Sequence, residues 1–454
     1  MDISGANITI AGAGRTARSL AALLLEKGAV PFVSESASAE SCADAAMELK
    51  ALGVEAEFGT HSEERFTHTD IVIPSPGVSP KRSPISLSIE GGVPVLGEME
   101  MASRFITSKI LAVTGTNGKT TTTEWLGAVL NANGRKCLVV GNNDTPLSKV
   151  ALLNDQPEYL VVEVSSYQLE TMAEFHPISA AVLNLTPDHL TRHDTMDEYA
   201  SVKARIFSNQ SDGDTAIFNS DDEYVSSMSV PEGVTQSCFG FYNASANWSV
   251  ENDWILFNQQ PFLETDSIPL PGNHNLYNAM AVLALGSSVG IDAISLRTSI
   301  QDFTGVEHRI ERVAEWGGVV YFNDSKSTNL DSLKVALESF SSPIVLLAGG
   351  EGKGTDYCVL NSQIEEHVKT VLAFGEDAAL IKKSWEGSTR VQVVDEMREA
   401  LQKADAAADS GDVVLLSPAC GSFDQFKNFE ERGTYFKRLV RDLIESKSEG
   451  KQYA

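Results

Sequence analysis

The densest chemistry in this chain lies at Gly115-Thr116-Asn117-Gly118-Lys119-Thr120-Thr121. An apolar run at 110–114 precedes these residues and a helical pattern at 121–130 follows them. In such a strand–loop–helix order, backbone N–H groups and the helix N-terminus face a polyphosphate. Lys119 neutralises charge there, and the Thr120 hydroxyl can ligate Mg²⁺. The loop is shorter than the usual GxxxxGKT, because Val113 stands where the first glycine would be. The competing reading is a glycine-rich turn carrying a surface lysine.

A second turn, Gly12-Ala13-Gly14-Arg15-Thr16-Ala17, follows the apolar run 8–11, and an acid, Glu35, follows the run 30–33. This GxGxxA pattern is the dinucleotide fingerprint, but the same turn serves any pyrophosphate or a purely structural bend. A nicotinamide enzyme has no need of a second nucleotide loop. The two turns together therefore point to ATP plus a nucleotide-linked substrate.

Other candidates stand at strand ends. Glu163 closes the run 160–164, where a carboxylate can hold Mg²⁺ or simply be a solvated strand end. His189, in Asn184-Leu185-Thr186-Pro187-Asp188-His189, follows the run 180–183 and is a candidate for Mg²⁺ or for the reacting group. His193 has only proximity in its favour and is expected on the surface. Lys203 lies in the helical run 196–208 and reads, on its residues alone, as an exposed lysine. Asn275 and Asn278 share one face of a helix expected at 275–289, where an amide can pair with a purine edge or cap the helix. His308-Arg309 sits near an expected boundary, from which an arginine can reach phosphate. In the last third, Asp324-Ser325-Lys326-Ser327-Thr328-Asn329, Gly349-Gly350-Glu351-Gly352-Lys353 and Ser417-Pro418-Ala419-Cys420-Gly421-Ser422 each follow an apolar run. Three polar loops at strand ends are where α/β sheets bind ligands.

The elements that must position these residues alternate in type. Strands are expected at 8–11, 30–33, 71–73, 93–96, 110–114, 138–140, 160–164 and 180–183, then at 319–322, 344–347, 371–374, 391–394 and 413–416. Helical patterns lie between them, which implies βαβ units and parallel sheets. The segment 238–271 breaks the rhythm with Trp248 and Trp254 and reads as an antiparallel patch. The fold class is α/β, in three domains as suits 454 residues. These are a Rossmann-like N-terminal domain at 1–98, a central P-loop mononucleotide-binding domain with the antiparallel patch at 99–304, and a C-terminal Rossmann-like domain at 305–454.

Composition narrows the partners. With 35 basic and 62 acidic side chains the net charge is −27, which repels nucleic-acid backbones and anionic lipid. No apolar run approaches a membrane-spanning length. The short run 19–25 after Arg15 and Arg18 continues into Glu26 and Lys27, as a helix rather than a leader. Five widely spaced cysteines without a CxxC read as free thiols in a reducing, cytoplasmic compartment.

Taken jointly, the motifs resemble those of the Mur ligases, ATP-dependent amide-forming enzymes that build the peptidoglycan stem peptide. GTNGKTT, the strand ending in Glu163, Asp188-His189, Lys203, HNLYN, His308-Arg309, DSKSTN and SPACGSFDQFKNFEERG occur in the family's order along the whole chain. The ending is similar to the branch that adds an acidic D-amino acid. The resemblance implies UDP-N-acetylmuramoyl-L-alanine and D-glutamate as substrates, ATP and two Mg²⁺ ions as cofactors, and a monomer. It implies that Gly115, Thr116, Asn117, Gly118, Lys119, Thr120, Thr121, Asn278, Arg309 and Asp324 bind ATP. The metal ligands would be Thr120, Glu163, His189 and Lys203, the last as a carbamate. Lys119, Glu163, His189 and Lys203 would be the catalytic set. Arg15, Thr16, Ser36, Asn142 and Ser165 would hold the UDP-substrate, and Lys326, Thr328, Lys353, Ser422 and Phe429 the D-glutamate. Two rivals follow from the residues: an NAD(P)-dependent oxidoreductase using the GxGxxA turn, and a regulatory P-loop ATPase that needs no small-molecule acceptor.

Overall fold

Short apolar runs bounded by turn residues become the strands of three sheets. The computed structural model describes residues 2–142, 145–188, 190–243, 245–352 and 355–452, with the side chains of 190, 191, 331 and 449–452 left aside. His189 and Lys353 therefore lie outside the described residues.

The first sheet holds β1 (Asn7–Ala11), β2 (Val30–Glu35), β3 (Glu55–Phe58) and β4 (Ile71–Pro74), all parallel in the order β3-β2-β1-β4. The second contains β5 (Lys109–Thr114), β6 (Cys137–Gly141), β7 (Tyr159–Glu163), β8 (Ser179–Val182), β9 (Thr215–Asn219), β10 (Thr235–Gly240), β11 (Trp248–Glu251), β12 (Trp254–Phe257) and β13 (Gln260–Glu264). Their order is β13-β12-β11-β10-β9-β8-β5-β7-β6. The third contains β14 (Glu311–Trp316), β15 (Val319–Asn323), β16 (Ile344–Gly349), β17 (Val368–Phe374), β18 (Arg390–Val393) and β19 (Val413–Leu416), ordered β14-β15-β19-β16-β17-β18. In β7, β8, β16 and β19 every residue is buried, as parallel strands covered on both faces require.

Three expectations need correction. Residues 93–96 form no strand; only a single parallel bridge joins Val72 to Val95. The antiparallel patch starts later than 238. Strand β10 pairs in parallel with both β9 and β11, and only β11-β12-β13 is antiparallel. Strands β3, β9 and β14 went unassigned. In β3 (Glu-Ala-Glu-Phe) and β14 (Glu-Arg-Val-Ala-Glu-Trp), edge positions let charged residues alternate into the strand, which hides the apolar signal.

The chain divides into two compact units, Met1–Pro269 with Asn273–Phe303, and Leu270–Gly272 with Thr304–Ala454. The first unit contains two sheets because one apolar cluster runs from Leu20, Leu23 and Ile73 through Met99 and Met101 to Leu147 and Leu169. In the second unit, separate apolar clusters cover the two faces of the third sheet.

Candidate active site

The shortened phosphate loop closes on itself at two glycines. Gly115 and Gly118 have φ of 153° and 85°. A Cβ at Gly118 would stand 2.4 Å from Asn278 Oδ1, so no other residue fits without displacing that amide. Helix Lys119–Ala132 starts at Gly118. The segment after β8 anchors the loop: Thr116 N donates to Asn184 O at 2.9 Å, and Asn117 N donates to Asn184 Oδ1 at 2.8 Å. Thr116 Oγ1 lies 3.3 Å from the Tyr199 hydroxyl.

Charged groups gather around this loop. Lys119 Nζ donates to Gly115 O at 3.0 Å and to Thr116 O at 2.6 Å. Lys203, only 1% exposed, donates to Gly115 O at 2.9 Å and to Thr114 Oγ1 at 3.3 Å. It also lies over the Tyr199 ring at 4.8 Å. Burial, and then the neighbouring Lys119 charge, push the Lys203 amine well below the usual lysine range against the pull of Asp188 and Glu163. The reading of Lys203 as an exposed lysine is thus overturned. Tyr199 and Lys203 are i, i+4 on helix Met196–Ala204 and turn the same face inward.

Glu163 is 2% exposed, so the solvated strand end is overturned as well. Its Oε1 accepts from Asn142 Nδ2 at 2.9 Å, whereas its Oε2 is buried and finds no donor among the described residues. A buried carboxylate oxygen without a donor is costly, and a cation is the partner it lacks. With the Thr120 hydroxyl at the start of the adjacent helix, the donor set is all hard oxygen, which fits Mg²⁺. Among the described residues no group of three or more His, Cys, Asp or Glu could hold a metal.

Asn278 is buried behind the loop, donating to Asn275 Oδ1 at 3.1 Å and accepting from Thr122 Oγ1 at 3.3 Å. Ser165 caps helix Ser166–Glu170 in a reciprocal box with Gln168. His193 is buried, not on the surface. Its Nε2 lies 2.9 Å from Ser166 Oγ, and its ring sits between Tyr167 and Tyr199. Arg15 and Thr16 open helix Arg15–Glu26 after the GxGxxA turn. At that turn the Glu35 carboxylate accepts from Ala13 N and Ala37 N, each at 2.8 Å. The acid is thereby folded back onto the turn. A cavity of about 670 Å³ opens at the same sheet edge, lined by Ser36, His61, Phe66, Lys81, Arg82 and Arg192 among others. That volume suits a small-molecule ligand of nucleotide size.

In the second unit the loop after β15 meets the loop after β19. Asp324 is fully buried. It accepts from Ser417 Oγ at 2.8 Å and from Ile310 N at 3.1 Å. Burial pushes its carboxyl up to about 6 against the pull of Arg309. Lys326 Nζ lies 5.8 Å from the centre of the Phe429 ring; Ser422 is buried and Thr328 exposed. Sequence reasoning passed over Arg432, whose fully buried guanidinium makes five donor contacts to Ser325 Oγ and the carbonyls of Ser325, Cys420 and Gly421. Burial lowers its pKa to about 10. One arginine thus ties the 324–328 loop to the 417–422 loop. Nothing in Phe429-Glu430-Glu431-Arg432 distinguishes it from a solvated helix arginine. Its partners are about a hundred residues away in one loop and about ten in the other.

A mostly parallel α/β sheet bearing a compressed phosphate loop, with a buried lysine and a buried carboxylate beside it, defines a nucleotide-binding α/β protein. Residues 6–97 match the Mur ligase MurD-like N-terminal domain, 113–286 the Mur ligase middle domain and 308–420 the Mur ligase glutamate ligase domain. The chain belongs to the Mur ligase family. It is 39% identical to the UDP-N-acetylmuramoylalanine--D-glutamate ligase of Koribacter versatilis, over 98% of this chain and 99% of that protein. It is 40% identical to the ligase of the same name from Pelotomaculum thermopropionicum, over 97% and 99%. Among solved structures, UDP-N-acetylmuramate-alanine ligase MurC from Thermotoga maritima aligns with a TM-score of 0.59 at 20% identity, covering 97% of this chain and all of that one. MurF ligase from Thermotoga maritima in complex with ADP gives 0.57 at 17%, covering 97% and 96%. These two share the fold.

Proposed function

We propose that this chain is the ATP-dependent ligase that joins D-glutamate to UDP-N-acetylmuramoyl-L-alanine in cytoplasmic peptidoglycan precursor synthesis. Its near-full-length relatives carry that activity in their names. Among the described residues no helix is long and apolar enough to cross a membrane. The observation that carries the reading is the donorless, buried Oε2 of Glu163 beside the buried Lys203 and the phosphate loop. Nothing supports the oxidoreductase alternative, and Glu35 closes over the turn that it would use.

The chemistry has two steps. The alanine carboxylate attacks the γ-phosphorus of ATP, releasing ADP and leaving an acyl phosphate. The D-glutamate amine then attacks the acyl carbon, and phosphate departs with the oxygen that had belonged to the carboxylate. Carboxylate, triphosphate and a glutamate dianion repel one another, so fixed positive charge is the main requirement. The N–H groups of Gly115–Thr121 and the Lys119 ammonium hold the transferring phosphoryl group. Asn278, Arg309 and Asp324 hold the rest of ATP. Arg15, Thr16, Ser36, Asn142 and Ser165 hold the UDP-substrate, and Lys326, Thr328, Lys353, Ser422 and Phe429 the amino acid. Mg²⁺ supplies Lewis acidity and neutralises phosphate charge. Thr120, Glu163, His189 and a carbamylated Lys203 are its proposed ligands, for two ions. The depressed basicity of Lys203 supports the carbamate, because only a neutral amine adds to CO₂. The working unit is a monomer of three domains, 1–98, 99–304 and 305–454.

Coupled measurement of ADP release tests the reading. Release is expected only when UDP-N-acetylmuramoyl-L-alanine, D-glutamate and Mg²⁺ are all present. ATP hydrolysis that ignores both acceptors would instead favour a regulatory ATPase.

A further inference from the structure

We propose that His61 reads the pyrimidine of the nucleotide-linked substrate, accepting the N3–H of uracil and rejecting cytosine. This rests on the reading of the first unit's cavity as the place of the substrate's UDP end.

Ser34 is fully buried at the end of β2, and its Oγ lies 2.6 Å from Glu57 Oε1 and 2.7 Å from His61 Nδ1. A hydroxyl has one proton to give. Burial favours protonation of Glu57, but the hydroxyls of Ser34 and Ser62 and the Ser62 N–H outweigh it and hold the carboxyl below its ordinary range. Ionised, Glu57 can only accept, so Ser34 donates to it. The Ser34 oxygen must then accept from His61, which places the imidazole proton on Nδ1. Nε2 takes no hydrogen-bond partner among the described residues, so a ring whose single proton is on Nδ1 offers Nε2 as an acceptor.

Charge decides which part of a nucleotide meets that nitrogen. His61 and Ser36 line the same cavity. Two carboxylates border His61: Glu57, and Glu35, which is held ionised by the N–H groups of Ala37 and Ala13 despite burial. Both repel a pyrophosphate. The cavity's cationic side chains, Lys81, Arg82 and Arg192, come from other segments of its wall, Lys81 in a pair with Asp194 and Arg192 in a pair with Glu170. The uncharged base is therefore the part that fits beside His61. Phe66, which also lines the cavity, supports the His61 ring edge-on at 5.7 Å.

A bare imidazole nitrogen complements uracil, whose N3 carries hydrogen, and opposes cytosine, whose N3 is itself an acceptor. A site that leaves two acceptors facing each other loses about ten- to a hundredfold in affinity.

Calorimetric titration of the full chain with UDP and with CDP tests this. Wild type is expected to prefer UDP by about tenfold or more. His61→Phe, checked for an unchanged melting temperature, is expected to bind the two within about threefold of each other. A preference for UDP that survives in His61→Phe overturns the role of His61 while leaving the nucleotide cavity intact. Wild type that binds neither nucleotide overturns the cavity reading and the inference with it. Should His61→Phe fail to fold, ¹⁵N-histidine spectra of wild type decide. A proton on Nδ1 and a UDP-dependent shift of Nε2 support the proposal. A proton on Nε2, or an Nε2 silent to saturating UDP, refutes it.

Discussion

Two glycine turns stand at the carboxyl ends of parallel strands in one unit, and their surroundings differ in charge. Around Gly115–Thr120 two lysines close in beside the Glu163 carboxylate: Lys119 bonds the loop's own carbonyls and Lys203 is buried beneath it. Around Gly12–Thr16 the side chain that closes in is Glu35, which already occupies the N–H of Ala13. Both turns offer backbone donors before a helix, so the backbone motif alone assigns neither ligand. The charged side chains behind each one do. Lysines beside a carboxylate that can hold Mg²⁺ suit a transferring phosphoryl group, whereas a donor already taken by carboxylate suits a ligand bound elsewhere along the edge.

The largest expected effect is at the first turn. Lys119→Ala removes fixed charge from the phosphoryl group and is expected to lower ADP release by about a thousandfold or more. The matching change at the second turn, Glu35→Gln, is expected to leave ATP handling intact and to alter only the KM for the UDP-substrate. Equal kcat losses at both turns would erase the distinction drawn between them. Next, Glu163→Gln keeps the size of the side chain and the bond from Asn142, but it weakens the partner offered to Mg²⁺. A loss of about a hundredfold is expected, partly recovered at high Mg²⁺, read as activity against metal concentration. Lys203→Ala is expected to be nearly inactive, with partial recovery on adding acetate or formate, which supply the missing anionic oxygens. Recovery by short amines instead would show that the ammonium, not a carbamate, is needed.

The smallest effect is on stability. Asp324 has a folded-state pKa of about 6, above its unfolded value near 4. Between those values the folded protein keeps a proton that the unfolded chain has lost. Stability from this group is therefore present below about pH 4 and falls as pH rises toward about 6. The unfolding free energy, read by denaturant titration, is expected to decline less across that range in Asp324→Asn than in wild type, by an amount on the order of a few kcal/mol.

What could be read in the sequence follows from how local each feature is. The phosphate loop, the strand before it and Glu163 at the next strand's end are written in consecutive residues, and the structure places them at one sheet edge. Lys203 was legible only through family resemblance. Its helix has no strong apolar stripe, and burial of its Tyr199–Lys203 face depends on the loop about eighty residues earlier. His193, expected at the surface, is enclosed by Tyr167 and Tyr199, which no local pattern announces. Arg432 and His61 were invisible for the same reason: their partners are set by tertiary pairing. The edge strands β3 and β14 were missed because charged residues occupy the positions that a buried strand would fill with apolar ones.

The central claim is that the phosphate loop hands the terminal phosphoryl group of ATP to a carboxylate. Substrate carrying ¹⁸O in its alanine carboxylate tests it most directly. One ¹⁸O in the released inorganic phosphate per amide formed is the predicted result. Unlabelled inorganic phosphate, with the expelled ¹⁸O recovered in water or in AMP instead, would contradict it.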